Sequence, residues 1–285
     1  MSRTNPYKVF ALILSIFFLA SCSKDDGTTR PVDDTPQWKK LKRTYASYTG
    51  GRTEITDFTY DTNGRLIQHD FLREDTSTVP VTIIFSEKTT LTYEGENEYP
   101  SSATIVRSNG KVYSATYSYD NQSRVTREEL QYQNNVEVRS DYTYINPSLV
   151  RVSEYHEGFI PGTNYTISDS FYFDAENRVT EGRHNEPNLS YSFNFDYDTK
   201  NNAYSGITAF KHVFTLNGST RVVPRRSPNN VTHYQSHATT SPSTEDHVIN
   251  YVYDAESYPV SCHGRIEWTL NSTDVQEYDT KFEYY

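Results

Sequence analysis

Large apolar residues recur along this chain in pairs two positions apart, each pair followed by an acidic or polar turn. The series runs Phe58 and Tyr60 before Asp61, Leu91 and Tyr93 before Glu94, Tyr117 and Tyr119 before Asp120, and Tyr142 and Tyr144 before Ile145. It continues with Phe171 and Phe173 before Asp174, Phe195 and Tyr197 before Asp198, and Tyr251 and Tyr253 before Asp254, and ends at Phe282 and Tyr284. A spacing of two puts both members of a pair on one face of a strand and sends Thr59, Ser118 and Thr143 to the other. Counted from the second member, the copies lie 33, 26, 25, 29, 24, 56 and 31 residues apart. The interval of 56 is close to two units and predicts a degenerate copy near Val222.

The residues after each pair carry turn chemistry. Asp61-Thr62-Asn63-Gly64-Arg65-Leu66, Asp120-Asn121-Gln122-Ser123-Arg124-Val125 and Asp174-Ala175-Glu176-Asn177-Arg178-Val179 share an Asp, a polar turn, an Arg four positions on and an aliphatic residue opening the next strand. An Asp carboxylate reaches the amides inside its own turn, which suits Asp better than Glu there. A second set of turns, at Asn109-Gly110, Asn134-Asn135, Asn217-Gly218 and Asn271-Ser272, suits tight connections with positive φ. Each repeat is therefore a pair of strands, and the whole predicts about 16 to 18 strands. The expected fold is all-β, a long curled antiparallel meander with its aromatic stripe turned inward as core. Only Asn201 to Val231 breaks the rhythm, and Pro224 and Pro228 there predict a longer loop or short helical turn.

Composition agrees with this pattern. The 285 residues include 25 Tyr and 14 Phe but one Met, too aromatic for a disordered chain and too poor in helix formers for a bundle. A net charge of −10 without a basic stripe argues against a nucleic-acid partner. The cysteines are Cys22 and Cys262.

Residues 1–21 have the layout of a secretory signal: Arg3 and Lys8, an apolar run from Val9 to Ala20, then small residues before Cys22. The run is shorter than the roughly 20 residues a spanning helix needs. Leu19-Ala20-Ser21-Cys22 resembles the bacterial lipobox, which implies cleavage before Cys22 and lipidation of its thiol and amine. The chain would then hold its membrane through acyl chains. Ser23-Lys24-Asp25-Asp26 resembles the export signal of Bacteroidetes surface lipoproteins, implying an outer-membrane lipoprotein at the cell surface, with a periplasm-facing one as the alternative. Residues 22–36 read as the lipidated cysteine and a flexible tether, and 37–285 as one repeat domain.

The phased motif, best at Tyr60-Asp61-Thr62-Asn63-Gly64-Arg65-Leu66, resembles the YD repeat of RHS-type proteins. It is closer to that of uncharacterised β-rich lipoproteins of Bacteroidetes. The resemblance covers residues 40 to 285 and implies strand-turn-strand units stacked into a curled sheet. Pro147 and Pro259 depart from the pattern in two copies.

No constellation of residues announces catalysis. His233 and His237 are four apart, about 13 Å on a strand, too far to share a metal with each other; His247 lies beyond a loop. Cys262 and His263 point to opposite faces of a strand, which forbids a thiol-imidazole contact. The turn aspartates fall short of a calcium loop. The expectation is a non-enzymatic envelope lipoprotein without cofactor that binds a glycan or protein. A scaffold of an outer-membrane complex is the runner-up and a paired-carboxylate hydrolase comes third. A binder would gather aromatics at one end, and a scaffold would offer an unpaired edge.

Overall fold

The computed structural model describes residues 38–133, 135–157, 164–186, 189–212, 223–238, 244–269 and 273–285. The segment holding Cys22, the signal and the tether lies outside them, as do the expected turns at Asn134, Asn217-Gly218 and Asn271-Ser272. The strands in chain order are β1 (Leu41–Tyr48), β2 (Arg52–Tyr60), β3 (Leu66–Asp75), β4 (Thr82–Thr92), β5 (Ser102–Arg107), β6 (Val112–Tyr119), β7 (Val125–Tyr132) and β8 (Asn135–Asn146). They continue as β9 (Leu149–His156), β10 (Tyr165–Phe173), β11 (Val179–Glu186), β12 (Leu189–Asn201), β13 (Asn229–Ala238), β14 (Thr244–Tyr253), β15 (Pro259–Thr269) and β16 (Thr273–Tyr284). Two short helices, α1 (Thr208–His212) and α2 (Val223–Arg226), lie between β12 and β13.

Each strand pairs antiparallel with its sequence neighbour, and β1 pairs with β16, so the sheet is a closed barrel rather than an open curled meander. Closure has a physical reason. An open array would leave β1 and β16 each with a row of unpaired backbone groups, and joining the two ends removes both edges. The last aromatic pair, Phe282 and Tyr284, is thereby completed by β1: Thr44 faces Phe282 and Leu41 faces Tyr284. Seven repeats are hairpins within the chain, and the eighth is assembled from its two ends.

The 56-residue interval also has a different origin from a degenerate copy. β12 and β13 pair directly, with Asn201 opposite Asn229, so no hairpin stands between them. Val222 itself lies outside the described residues. The interval is long because the turn of that repeat has grown to carry α1 and α2. Its described residues include Ala203, Ile207, Ala209 and Phe210, all essentially without solvent exposure. They pack against Leu41, Phe58, Leu66, Leu91 and Tyr117 inside the wall. A barrel this wide cannot be filled by its own wall residues, and this insertion plugs one end.

The turns repeat at atomic detail. Asp61 Oδ1 accepts from the amides of Asn63 and Arg65, and its Oδ2 accepts from Arg65 Nε at 2.8 Å. Asp120 repeats this with Gln122 and Arg124, and Asp174 with Glu176 and Arg178. At Asp254 the Arg position is Tyr258, and Lys39 Nζ supplies the cation at 2.8 Å. Gly64, Ser123, Asn177 and Ser257 hold the same turn position with positive φ.

The tyrosine of each pair has its own task. Tyr60 donates to Leu41 O at 2.8 Å, Tyr93 to Leu66 O, Tyr119 to Pro100 O, Tyr144 to Val125 O, Tyr197 to Val179 O and Tyr284 to Pro259 O. Each hydroxyl thus ties its repeat to the backbone of the preceding one, a link that phenylalanine could not make. At Phe173 the ring is kept without the hydroxyl.

Candidate functional site: a chamber at the distal end

Along each strand the inward positions change character from one end to the other. On β2 they read Tyr60, Phe58, Thr56, Glu54 and Arg52 from the turn-motif end outward. On β9 they run Val150, Val152, Glu154 and His156. The plug and the aromatic pairs fill the turn-motif end. Beyond the plug lies a chamber of about 1410 Å³, floored by Asn202, Ala203, Tyr204 and Arg225 and reaching the distal rim at Tyr48, Phe85, Glu245 and Trp268.

One wall is built from ion pairs backed by rings. Glu54 accepts from Arg73 and from the Tyr48 hydroxyl, and Arg52 lies 3.7 Å away. The Arg52 guanidinium stacks on Tyr48 at 4.0 Å, and Arg107 stacks on Tyr113 at 4.5 Å while binding the buried Glu87 at 2.9 Å. Burial, reinforced by the Glu54 charge, pushes the Tyr48 hydroxyl up to about 12.

Next to Ser140, Glu154 and Tyr191 of the opposite lining lies a histidine-carboxylate array. His184 sits between Asp169 and Glu186, at 2.8 Å from each, and stacks on Tyr191. Burial pulls the His184 pKa down, but the hydrogen bonds to the two carboxylates outweigh it and the net direction is up. Asp169 is itself raised, burial outweighing its bond to His184. Next to it Ser140 donates to Glu154, which also contacts His156. Deeper, burial lowers His69 to about 4; its ring lies against Phe58 and Phe210. Burial also lowers His247, beside the Tyr278 hydroxyl, to about 4.

Glu54 and Glu87 are thus neutralised by arginines within the wall, while Glu128, Glu129, Glu137 and Glu245 add acidic groups to the lining. Fixed rings alternating with polar groups that both donate and accept suit an uncharged polar ligand with a C–H face.

The candidates taken from sequence fall elsewhere. His233 and His237 lie on the outer side of β13, where His233 meets Asp196 and Asp246, while His247 points inward. Among the described residues no three of His, Cys, Asp and Glu gather as for a metal. Cys262 is buried inside, its thiol pushed up to about 11 by burial, and His263 faces outward to Asp279. Of the chamber's residues, the sequence singled out His247 and the aromatics Tyr117, Phe195, Tyr251 and Phe282, but none of the charged groups. The signal was present: continuing the period of two from each aromatic pair back along its strand reaches Glu54, Glu87, Asp169 and Tyr191.

The outer face is polar. Ser114, Thr116 and Ser118 on β6 are exposed, and Arg43 pairs with Asp57, Arg127 with Asp141 and Arg183 with Glu181 across or along the wall. A lipid-facing strand would show an apolar band there, since an Arg or Lys at mid-bilayer costs about 2–4 kcal/mol. At these positions rings point inward and polar or charged side chains outward, while Val112, Ile145, Val248, Val252 and Val275 are exposed elsewhere on the strands.

Two solved structures are similar to this chain, of which the first supports a shared fold. A porin-like protein from Bacteroides vulgatus superposes with a TM-score of 0.54 at 13% identity, covering 87% of this chain and 99% of that one. A porin-like protein from Bacteroides uniformis gives 0.44 at 12%, covering 86% and 98%. The likeness is one of fold alone. No family model and no curated protein matches the sequence.

Proposed function

We propose that this chain is a non-enzymatic binding protein of the outer membrane, held by lipid at Cys22 with its barrel in water. In this reading it takes a glycan into the distal chamber. The observation that carries the reading is the chamber beyond the plug, where the pairs Arg73–Glu54 and Arg107–Glu87 stand beside Tyr48, Phe85, Tyr191, Trp268 and Tyr278. Sugars present apolar faces to rings and hydroxyls to paired polar groups, and they ask for no net charge. The polar positions on the exterior support a barrel that is tethered rather than inserted, and the barrel likeness to the porin-like protein from Bacteroides vulgatus supports an envelope setting. Display at the cell surface rests on Ser23-Lys24-Asp25-Asp26 and belongs to the proposal.

A glycan array probed with the detergent-solubilised full chain tests it. Binding to a related set of glycans, lost in Trp268→Ala and Arg52→Ala variants that remain folded with the wild-type strand spectrum, is the expected result. Absence of binding on the array, or binding indifferent to both substitutions, would remove the chamber from the function.

A further inference from the structure

The barrel has one step in its wall. β4 has 11 residues and its neighbour β5 only 6. Their ladder ends with Glu87 opposite Arg107. The Ser108 amide then donates to Ser86 O at 2.8 Å, and the Ser86 amide donates to Ser108 Oγ. Beyond this point Thr82, Ile83 and Phe85 pair with Asp75, Glu74 and Arg73 of β3, and among the described residues no strand lies on their other side.

That free edge is apolar. Val79 is 99% exposed, Val81 50%, Ile83 60% and Ile84 53%. Exposed Val or Ile side chains elsewhere on the strands do not form such a run, apart from Val106 and Val112, paired with each other on the adjoining β5–β6 hairpin. Below the step a groove of about 460 Å³ is lined by Leu72, Ser86, Lys88, Val106 and Ser108. Natural barrels do not keep β-branched residues on an open edge without use, because such an edge recruits other chains.

We infer that the free edge of β4 from Thr82 to Phe85 docks an extended apolar segment of a partner protein, which adds to the wall as a short strand. Three features fix the occupant as a peptide. Backbone groups at a strand edge are satisfied by another backbone at the strand repeat, which an acyl chain cannot offer. Val81 and Ile83, two apart, match alternate side chains of an added strand, and the groove below the step receives the next one. A second copy is disfavoured because each chain carries a net charge of −10. Four residues of edge span about 13 Å, which accommodates a partner segment of four to six residues.

The test is amide hydrogen exchange of the full chain with a panel of eight-residue peptides. Each has a core of four Val, Ile or Thr residues and either Asp or Lys flanks. At least one peptide is expected to slow exchange in Thr82–Phe85 by about tenfold, as an edge amide taken into a ladder would show. Methylating alternate peptide nitrogens should abolish that protection, as should the surface change Val81→Lys with Ile83→Lys. No protection by any peptide, or protection that survives N-methylation, overturns the inference. So would edge protection that grows with protein concentration alone, which would identify a second copy, or that appears with phosphatidylethanolamine vesicles alone.

Discussion

The two ends of this barrel are made of the same strands and follow opposite rules. At the turn-motif end, inward residues are Phe, Tyr and Val, the plug supplies Ile207 and Phe210, and hydroxyls such as Tyr60 are spent on backbone carbonyls. At the distal end, inward residues are Arg, Glu, His and half-buried rings around a chamber. The first arrangement minimises empty space, and the second keeps space while pairing Arg73 with Glu54 and Arg107 with Glu87. Fold and function are thus separated along the barrel axis, so a substitution at one end should leave the other's property intact.

The largest effect belongs to the packed end. Phe58→Ala and Phe210→Ala should each lower stability by about 3–5 kcal/mol, because both rings are fully buried. Tyr191→Ala and Trp268→Ala, half-exposed in the chamber, should cost about 1–2 kcal/mol. Urea midpoints with unchanged slopes would measure this, and equal losses at the two ends would break the comparison.

A smaller effect probes the ion pairs. Glu87 is almost without exposure, so Arg107→Ala, which removes its paired guanidinium, should cost about 2 kcal/mol after allowing for that group's partial exposure. Replacing both residues by Leu should restore stability to within about 1 kcal/mol of wild type. If the double variant is as weak as the single one, the pair serves packing rather than charge.

The two ends should also respond oppositely to pH. His69, at the packed end, is neutral when folded but takes a proton near 6.5 when unfolded. Its contribution is complete above pH 6.5 and falls as pH drops toward 4. His184, at the distal end, has a raised pKa, so its contribution is complete below 6.5 and falls as pH rises through the folded value. Urea midpoints across pH 4 to 8 should lose the acid-side slope in His69→Gln and the alkaline-side slope in His184→Gln.

The smallest effect concerns the tyrosine links. Tyr60→Phe removes one hydroxyl-to-carbonyl bond at a half-buried site and should cost about 1 kcal/mol. Phe173→Tyr, in the repeat that lacks the hydroxyl, asks whether the missing link can be added back. A gain there, read from thermal unfolding, would show that the links act one repeat at a time.

What sequence made legible follows from what is local. The aromatic pairs, the Asp-Arg turns and the antiparallel hairpins are each written within about ten residues, and they appear as expected. Closure was not legible because it depends on Leu41 meeting Tyr284, a contact between the two ends of the domain. The 56-residue interval misled for a related reason: counting copies treats a long interval as two units, whereas here a single turn had grown into a plug. The chamber was half written. Its residues continue the same period of two, but Glu54 and Arg73 on an inward face look like solvent positions until the barrel is known to be wide enough to hold them.

The central claim is that the barrel stands in water, tethered rather than inserted. Nitroxide labels at Ser114, Ala115, Thr116, Tyr117 and Ser118, placed one at a time as cysteine in a Cys262→Ser background and studied on lipid vesicles, test it directly. The account predicts high accessibility to a water-soluble nickel reagent at Ser114, Thr116 and Ser118, and low accessibility to both that reagent and oxygen at Ala115 and Tyr117. Labels at Ser114, Thr116 and Ser118 that are shielded from nickel and reached by lipid-dissolved oxygen would contradict it.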